Sequence, residues 1–250
     1  MFYRIGFILA LIVLLAFPPA ATAYEFSPIV AQFSPNGPGS ARTFIVTNTQ
    51  SQPVALQLEM YQRSADDTGK EVRRPEYDNF VVTPPQLVLP AGQSQSIRVQ
   101  WIGNPSPEVE LAYRLIVSQL PIPYAREDTG QTYVTDVKMG LRYEAALYIV
   151  PEEGAPHAEV IASEAATAED GSQVLRMTLK SSGQRRAILE NPSLMVSAGG
   201  REVELSGEDV APLQNRNLIA GTQAIIDVPW PESLPVGPVN VSMETRYLQF

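Results

Sequence analysis

Cysteine is absent and histidine occurs once, as His157. No disulfide, thiol nucleophile, iron–sulfur cluster or Cys-containing zinc site can form, and a Ser–His–Asp triad would rest on His157 alone. Positive charge is scarce: 18 Lys and Arg stand against 27 Asp and Glu, a net charge of −9. Such a balance speaks against the basic patch by which a general nucleic-acid binder takes phosphates. Long apolar runs are missing as well. Beyond the N-terminus no stretch approaches the ~20 residues of a spanning helix, so no membrane insertion is expected. Much of enzyme chemistry is excluded at this level, and neither a metal nor a cofactor is expected.

What is present is a foldable chain. With 250 residues, 44% hydrophobic and 18% charged, it holds enough apolar mass for one large or two ordinary domains. At the N-terminus Arg4 precedes an apolar run from Ile5 to Phe17, then Pro18-Pro19 and Ala21-Thr22-Ala23. That order reads as a secretory signal over 1–23, cleaved after Ala23. At about 1.5 Å per helical residue the run falls short of a ~30 Å hydrocarbon core.

Beyond residue 24 the hydrophobic period is two. Val54, Leu56, Leu58 and Met60 alternate with polar neighbours, as do Ile97 and Val99 before Trp101. Thr43–Thr47, Phe80–Val82, Gln86–Leu89 and Tyr113–Val117 are β-rich runs ended by turn clusters such as Pro90-Ala91-Gly92. Alternation is longest from Thr132 to Val150. Strands at ~8–12-residue spacing without a helical period predict an antiparallel β-sandwich. Pro151–Pro156 reads as a linker. Short strands resume at Val174–Leu179, Leu194–Val196, Ala224–Val228 and Val239–Met243, with turns at Ser181–Gly183 and Asn191-Pro192. The Ala-rich stretch Glu159–Glu169 lacks an apolar helical face, because Ile161 is isolated. The expected organisation is all-β: domain one over 24–150, linker 151–156, and a smaller sandwich over 157–250.

The catalytic look-alikes have simpler readings. Asp66-Asp67-Thr68-Gly69 and Glu169-Asp170-Gly171 have the residues a hairpin turn needs. A lone His157 in a linker reads as solvent-exposed. The aromatic end Tyr247–Phe250 would, in an outer-membrane barrel, place Ser242, Glu244 and Arg246 toward lipid, which is costly.

The motif order resembles a family. Pro84–Val99, then Glu110–Pro121, then a strand ending Tyr148-Ile149-Val150-Pro151, and finally Leu189-Glu190-Asn191-Pro192 are similar to successive blocks of the periplasmic pilus-assembly chaperones. The resemblance implies two immunoglobulin-like β-sandwich domains set at an angle. It also implies pilin subunits as clients, an outer-membrane usher as the recipient, and donation of the last first-domain strand to an incomplete pilin. The corresponding donor residues here are Val137, Met139, Leu141 and Tyr143. The alternation itself is equally satisfied by an ordinary core strand, although some fifteen alternating residues exceed a typical strand of ~5–6. Self-association through the free strand is a further expectation.

Members of the family often hold the client's C-terminal carboxylate with two basic residues in the cleft. Those positions fall on Val30 and Ala146, neither of them basic. Other branches resemble this sequence in having an arginine within Tyr-Arg-Leu, here Arg114; Arg142 and Arg98 rank below it as candidates for a second donor. Arg114 is equally well read as an exposed strand residue paired with a surface acid. Outside the chaperone reading, an exported structural or adhesive protein of tandem sandwiches has the same pattern.

Overall fold

The computed structural model describes residues 24–121 and 140–248. The expected signal segment, Val137, Met139 and the first part of the long alternating run, 132–139, lie outside the described residues. The first half holds β1 (Tyr24–Ser27), β2 (Val30–Phe33), β3 (Ala41–Asn48), β4 (Val54–Ala65), β5 (Glu71–Pro75), β6 (Phe80–Thr83), β7 (Gln86–Leu89), β8 (Ser94–Trp101), β9 (Leu111–Leu120) and β10 (Arg142–Ile149). They form two layers. One is β1-β3-β8-β6; the other is β2-β10-β9-β4-β5, with β7 also paired to β4.

Period two explains the core. Leu56, Ile97, Leu115 and Leu147 come from both layers and are fully buried, as the alternation requires. Phe80 meets Trp101 and Tyr113 edge to face, with centroids 5.1 and 4.9 Å apart. Such pairs add about 0.5–1.5 kcal/mol beyond their burial. The chain changes layer between β1 and β2: β1 pairs with β3, and β2 runs parallel to β10.

The second half repeats the plan at smaller scale. β11 (Ala158–Thr167), β12 (Gln173–Ser181) and β16 (Gln223–Pro229) make one layer. β13 (Ala187–Ala198), β14 (Arg201–Ser206), β15 (Asn217–Leu218) and β17 (Val239–Tyr247) make the other. Leu175, Met177, Leu179, Leu189 and Leu194 fill a separate core. Asn191-Pro192 corrects an expectation. It is not a turn between strands but a bulge inside β13, with Asn191 at φ 49° and the β17 register jumping between Glu190 and Ser193. Proline cannot donate to a ladder, and a bulge is where a strand tolerates it. The Ala-rich stretch is strand β11, with its own register shift between Val160 and Ala162.

The two aspartate-bearing turn readings, 66–69 and 169–171, hold. The Asp66 carboxylate accepts from Thr68 Oγ1, Lys70 N and Thr68 N at 2.7–3.0 Å, and these bonds hold its pKa below the usual range. This β4–β5 hairpin reaches the second half. Ile225 N donates to Thr68 O at 3.0 Å, and Gln223 Nε2 donates to Asp67 O at 3.2 Å. Gly69 permits the contact: its φ is +88°, and a Cβ there would lie 2.8 Å from the Ala224 Cα. The tip therefore covers the exposed edge of β16.

A buried ion pair also joins the halves. Arg186 Nη1 donates to Glu110 Oε2 at 2.8 Å, and its guanidinium lies 3.8 Å from the centroid of the Tyr148 ring. Burial pushes the Glu110 carboxyl above its usual range, and the bond from Arg186 only partly offsets this. Around the pair, Ala112, Ala146, Tyr148 and Ile219 form a small apolar cluster.

Candidate functional site

The inner face of the β2-β10-β9-β4-β5 sheet packs on the core, so its other face borders a cleft against the second half. Alternation decides what appears there. On β9, Tyr113, Leu115 and Val117 point to the core, leaving Ala112, Arg114 and Ile116 on the cleft side. On β10, Ala145, Leu147 and Ile149 go inward, leaving Arg142, Glu144, Ala146 and Tyr148. The register makes a cross-strand row: Val30, Ala146, Arg114 and Tyr61 are successive partners. The two positions indicated by family spacing, Val30 and Ala146, are thus neighbours, and Arg114 is the next residue along the row.

Arg114 does not stand alone. Its Nε and Nη2 donate to Glu71 Oε1 and Oε2 at 3.1 and 2.7 Å. Glu71 also accepts from Arg63 Nε and Arg73 Nε, each at 2.6 Å. Arg73 forks onto Glu144 at 2.9 and 2.6 Å, and Arg142 reaches Glu144 at 3.2 Å. Four guanidiniums therefore surround two carboxylates, a local surplus of positive charge in an acidic protein. Burial alone would push Glu71 up. The bonds from Arg114 and Arg73 and the charge of Arg63 outweigh it and carry the carboxyl down to about 2.

The other expected site residues separate. Arg142 lies at the start of β10 with its side chain 51% exposed, on the cluster's rim. Arg98 is not brought to the cleft. It sits on β8 between the core residues Ile97 and Val99, and so faces solvent from the opposite layer. Leu141 and Tyr143 turn toward the chain's own core. The Tyr143 hydroxyl donates to Tyr24 O at 2.7 Å, and the two rings meet edge to face.

The backbone of β10 tells a different story from its side chains. β9 pairs with it from Arg142 to Ile149, but β2 pairs only from Ala146 to Ile149. Among the described strands, nothing pairs with 142–145 on the β2 side. Ala146 N donates to Ile29 O, whereas Leu141 O accepts from Gln119 N on β9. By alternation, the backbone groups of Arg142 and Glu144 point to the open edge. Further along, where β2 and the end of β10 face the second half, Val30, Gln32, Tyr148, Ile188 and Leu248 line a largely apolar cleft of about 920 Å3.

Sequence reasoning missed Arg63, Glu71, Arg73 and Glu144. A signal existed. The hairpin sets Arg63 directly opposite Arg73, a like-charge pair that needs an acid between its members. His157 is exposed, as expected of a linker residue.

Residues 35–155 match the family model described as "Pili and flagellar-assembly chaperone, PapD N-terminal domain". No curated protein sequence matches the chain. Among solved structures it is similar to the class 5 fimbriae chaperone CfaA, at 16% identity over 91% of this chain and 93% of that one, TM-score 0.56. A chain of the CsuC–CsuE chaperone–tip subunit pre-assembly complex from the archaic Csu pili of Acinetobacter baumannii is similar at 16% identity, over 84% and 89% of the two chains, TM-score 0.56. A chain of the chaperone–tip adhesin complex of CFA/I fimbriae follows at 17% identity, over 88% and 94%, TM-score 0.53.

Proposed function

Because this chain belongs to the PapD-like pilus chaperones, we propose that it acts in the periplasm, holding pilin subunits by strand addition and passing them to an outer-membrane usher. We take residues 1–23 as the export signal, 24–150 as the client-binding domain, 151–156 as the linker and 157–250 as the second domain. The observation that carries the reading is the edge of β10 at 142–145, which no described strand pairs on the β2 side, beside the arginine cluster.

An incoming strand would continue the line that β2 leaves. Backbone bonds to Arg142 and Glu144 would supply affinity; of the donor segment Val137, Met139, Leu141 and Tyr143, the side chains of Val137 and Met139 would supply selectivity, while Leu141 and Tyr143 stay with the chain's own core. β10 runs toward the cleft. A client strand whose carboxyl end stops beside Ala146 and Val30 therefore runs parallel to it. Two strand spacings, ~10 Å, separate that end from the Arg114 backbone, within the joint span of an extended guanidinium and a carboxylate. Arg114 is the anchor and Arg142 the secondary donor. The open edge also permits self-association when no client is bound.

The test is co-expression with a pilin subunit, followed by purification from a periplasmic extract. A one-to-one complex that protects the subunit from degradation is the expected result. Recovery of the chain on the cell surface, without subunit, would instead favour an adhesive or structural protein of tandem sandwiches.

A further inference from the structure

We propose that Glu71 is an intramolecular competitor of the client: it holds Arg114 in the free protein, and the client's terminal carboxylate must take that guanidinium from it. The inference rests on Arg114 being the client's anchor.

The sheet order sets Glu71 and the client on opposite sides of Arg114. β5, which carries Glu71, lies two strands from β9 in one direction; the open edge lies beyond β10 in the other. In the free protein the guanidinium is committed to the β5 side, with Nε and Nη2 both donating to the Glu71 carboxylate. One side chain cannot form a two-bond fork to both places. Capture is therefore an exchange of one carboxylate for another on the same cation, and release to the usher is its reversal. Glu71 does not lose all its partners in the exchange, because Arg63 and Arg73 remain bonded to it. The exchange therefore leaves no buried unpaired charge behind, which keeps it reversible. A chaperone that must surrender its cargo gains from such a partner.

The experiment measures how long a purified complex with a co-expressed pilin subunit survives dilution. Wild type is compared with Glu71→Gln, Arg114→Ala and the double variant. Glu71→Gln should lengthen the lifetime about tenfold, the effect of roughly one charge-assisted hydrogen bond. In the Arg114→Ala background the same substitution should change nothing. If Glu71→Gln shortens the lifetime, Glu71 positions Arg114 for the client and the proposal is overturned. An equal gain in both backgrounds overturns it too, since the effect is then general charge. Wild-type lifetime in Arg114→Ala refutes the anchor itself, a separate failure. Should Glu71→Gln not fold, Glu71→Asp keeps the charge while shortening the reach to Arg114, and is expected to lengthen the lifetime in the same direction; an unchanged or shorter lifetime there counts against the proposal.

Discussion

Arg114→Ala is expected to keep its fold and lose its client. The fold survives because Glu71 retains Arg63 and Arg73, each 2.6 Å away, and because the removed side chain faces the cleft rather than the core. Capture suffers because a guanidinium grips a carboxylate through two parallel charge-assisted bonds. A hydrogen bond to a charged group contributes about 1.5–3 kcal/mol; because the client's two bonds replace the two to Glu71, the net loss is nearer that of one such bond, roughly tenfold or more in affinity. Arg114→Lys keeps the charge but not the fork, and should restore capture only in part. Circular dichroism reports the fold and subunit co-purification reports capture. An unchanged yield of complex from Arg114→Ala would move the anchor to Arg142.

Arg186→Ala is expected to be the most destabilising single change at the junction of the two halves. Glu110 is only 4% exposed and its Oε1 already lacks a partner among the described residues. Removing Arg186 strands a buried carboxylate, a change that costs about 3–5 kcal/mol. The guanidinium also stacks on Tyr148, so Arg186→Lys should recover only part of the loss. Glu110→Gln together with Arg186→Ala should be milder than Arg186→Ala alone, since no charge is then left in the interior. Urea unfolding of the three variants reads the ordering directly. A loss under ~1 kcal/mol for Arg186→Ala would mean that water reaches Glu110 and that the pair behaves as a surface bridge.

The strands and their buried faces were legible in the sequence. Val54, Leu56, Leu58 and Met60 fall on the core face because a half-buried strand admits no other arrangement. Aspartates such as Asp66 and Asp170 announced their turns through side chains that bond the backbone two residues on. What alternation does not encode is register between distant strands. The Glu71–Arg114 contact spans 43 residues, and the Arg73–Glu144 contact spans 71. Both depend on which strand lies beside which. For the same reason Arg98 looked equivalent to Arg142 along the chain, although the layers place them on different surfaces. Asn191-Pro192 misled differently. The pair carries turn chemistry, but the hydrophobic residues on either side continue one strand, and a bulge absorbs the conflict.

The central claim is that a client strand pairs with the open edge of β10. Amide hydrogen exchange, followed peptide by peptide with and without a co-expressed pilin subunit, tests it most directly. The Arg142 and Glu144 amides face that edge and have no backbone partner on it among the described residues, whereas Ala146 already bonds to Ile29. Strong slowing over residues 140–145 in the complex, with little change over 146–149, is the predicted result. A bound subunit that leaves exchange at 140–145 unaltered, and protects another edge instead, would contradict it.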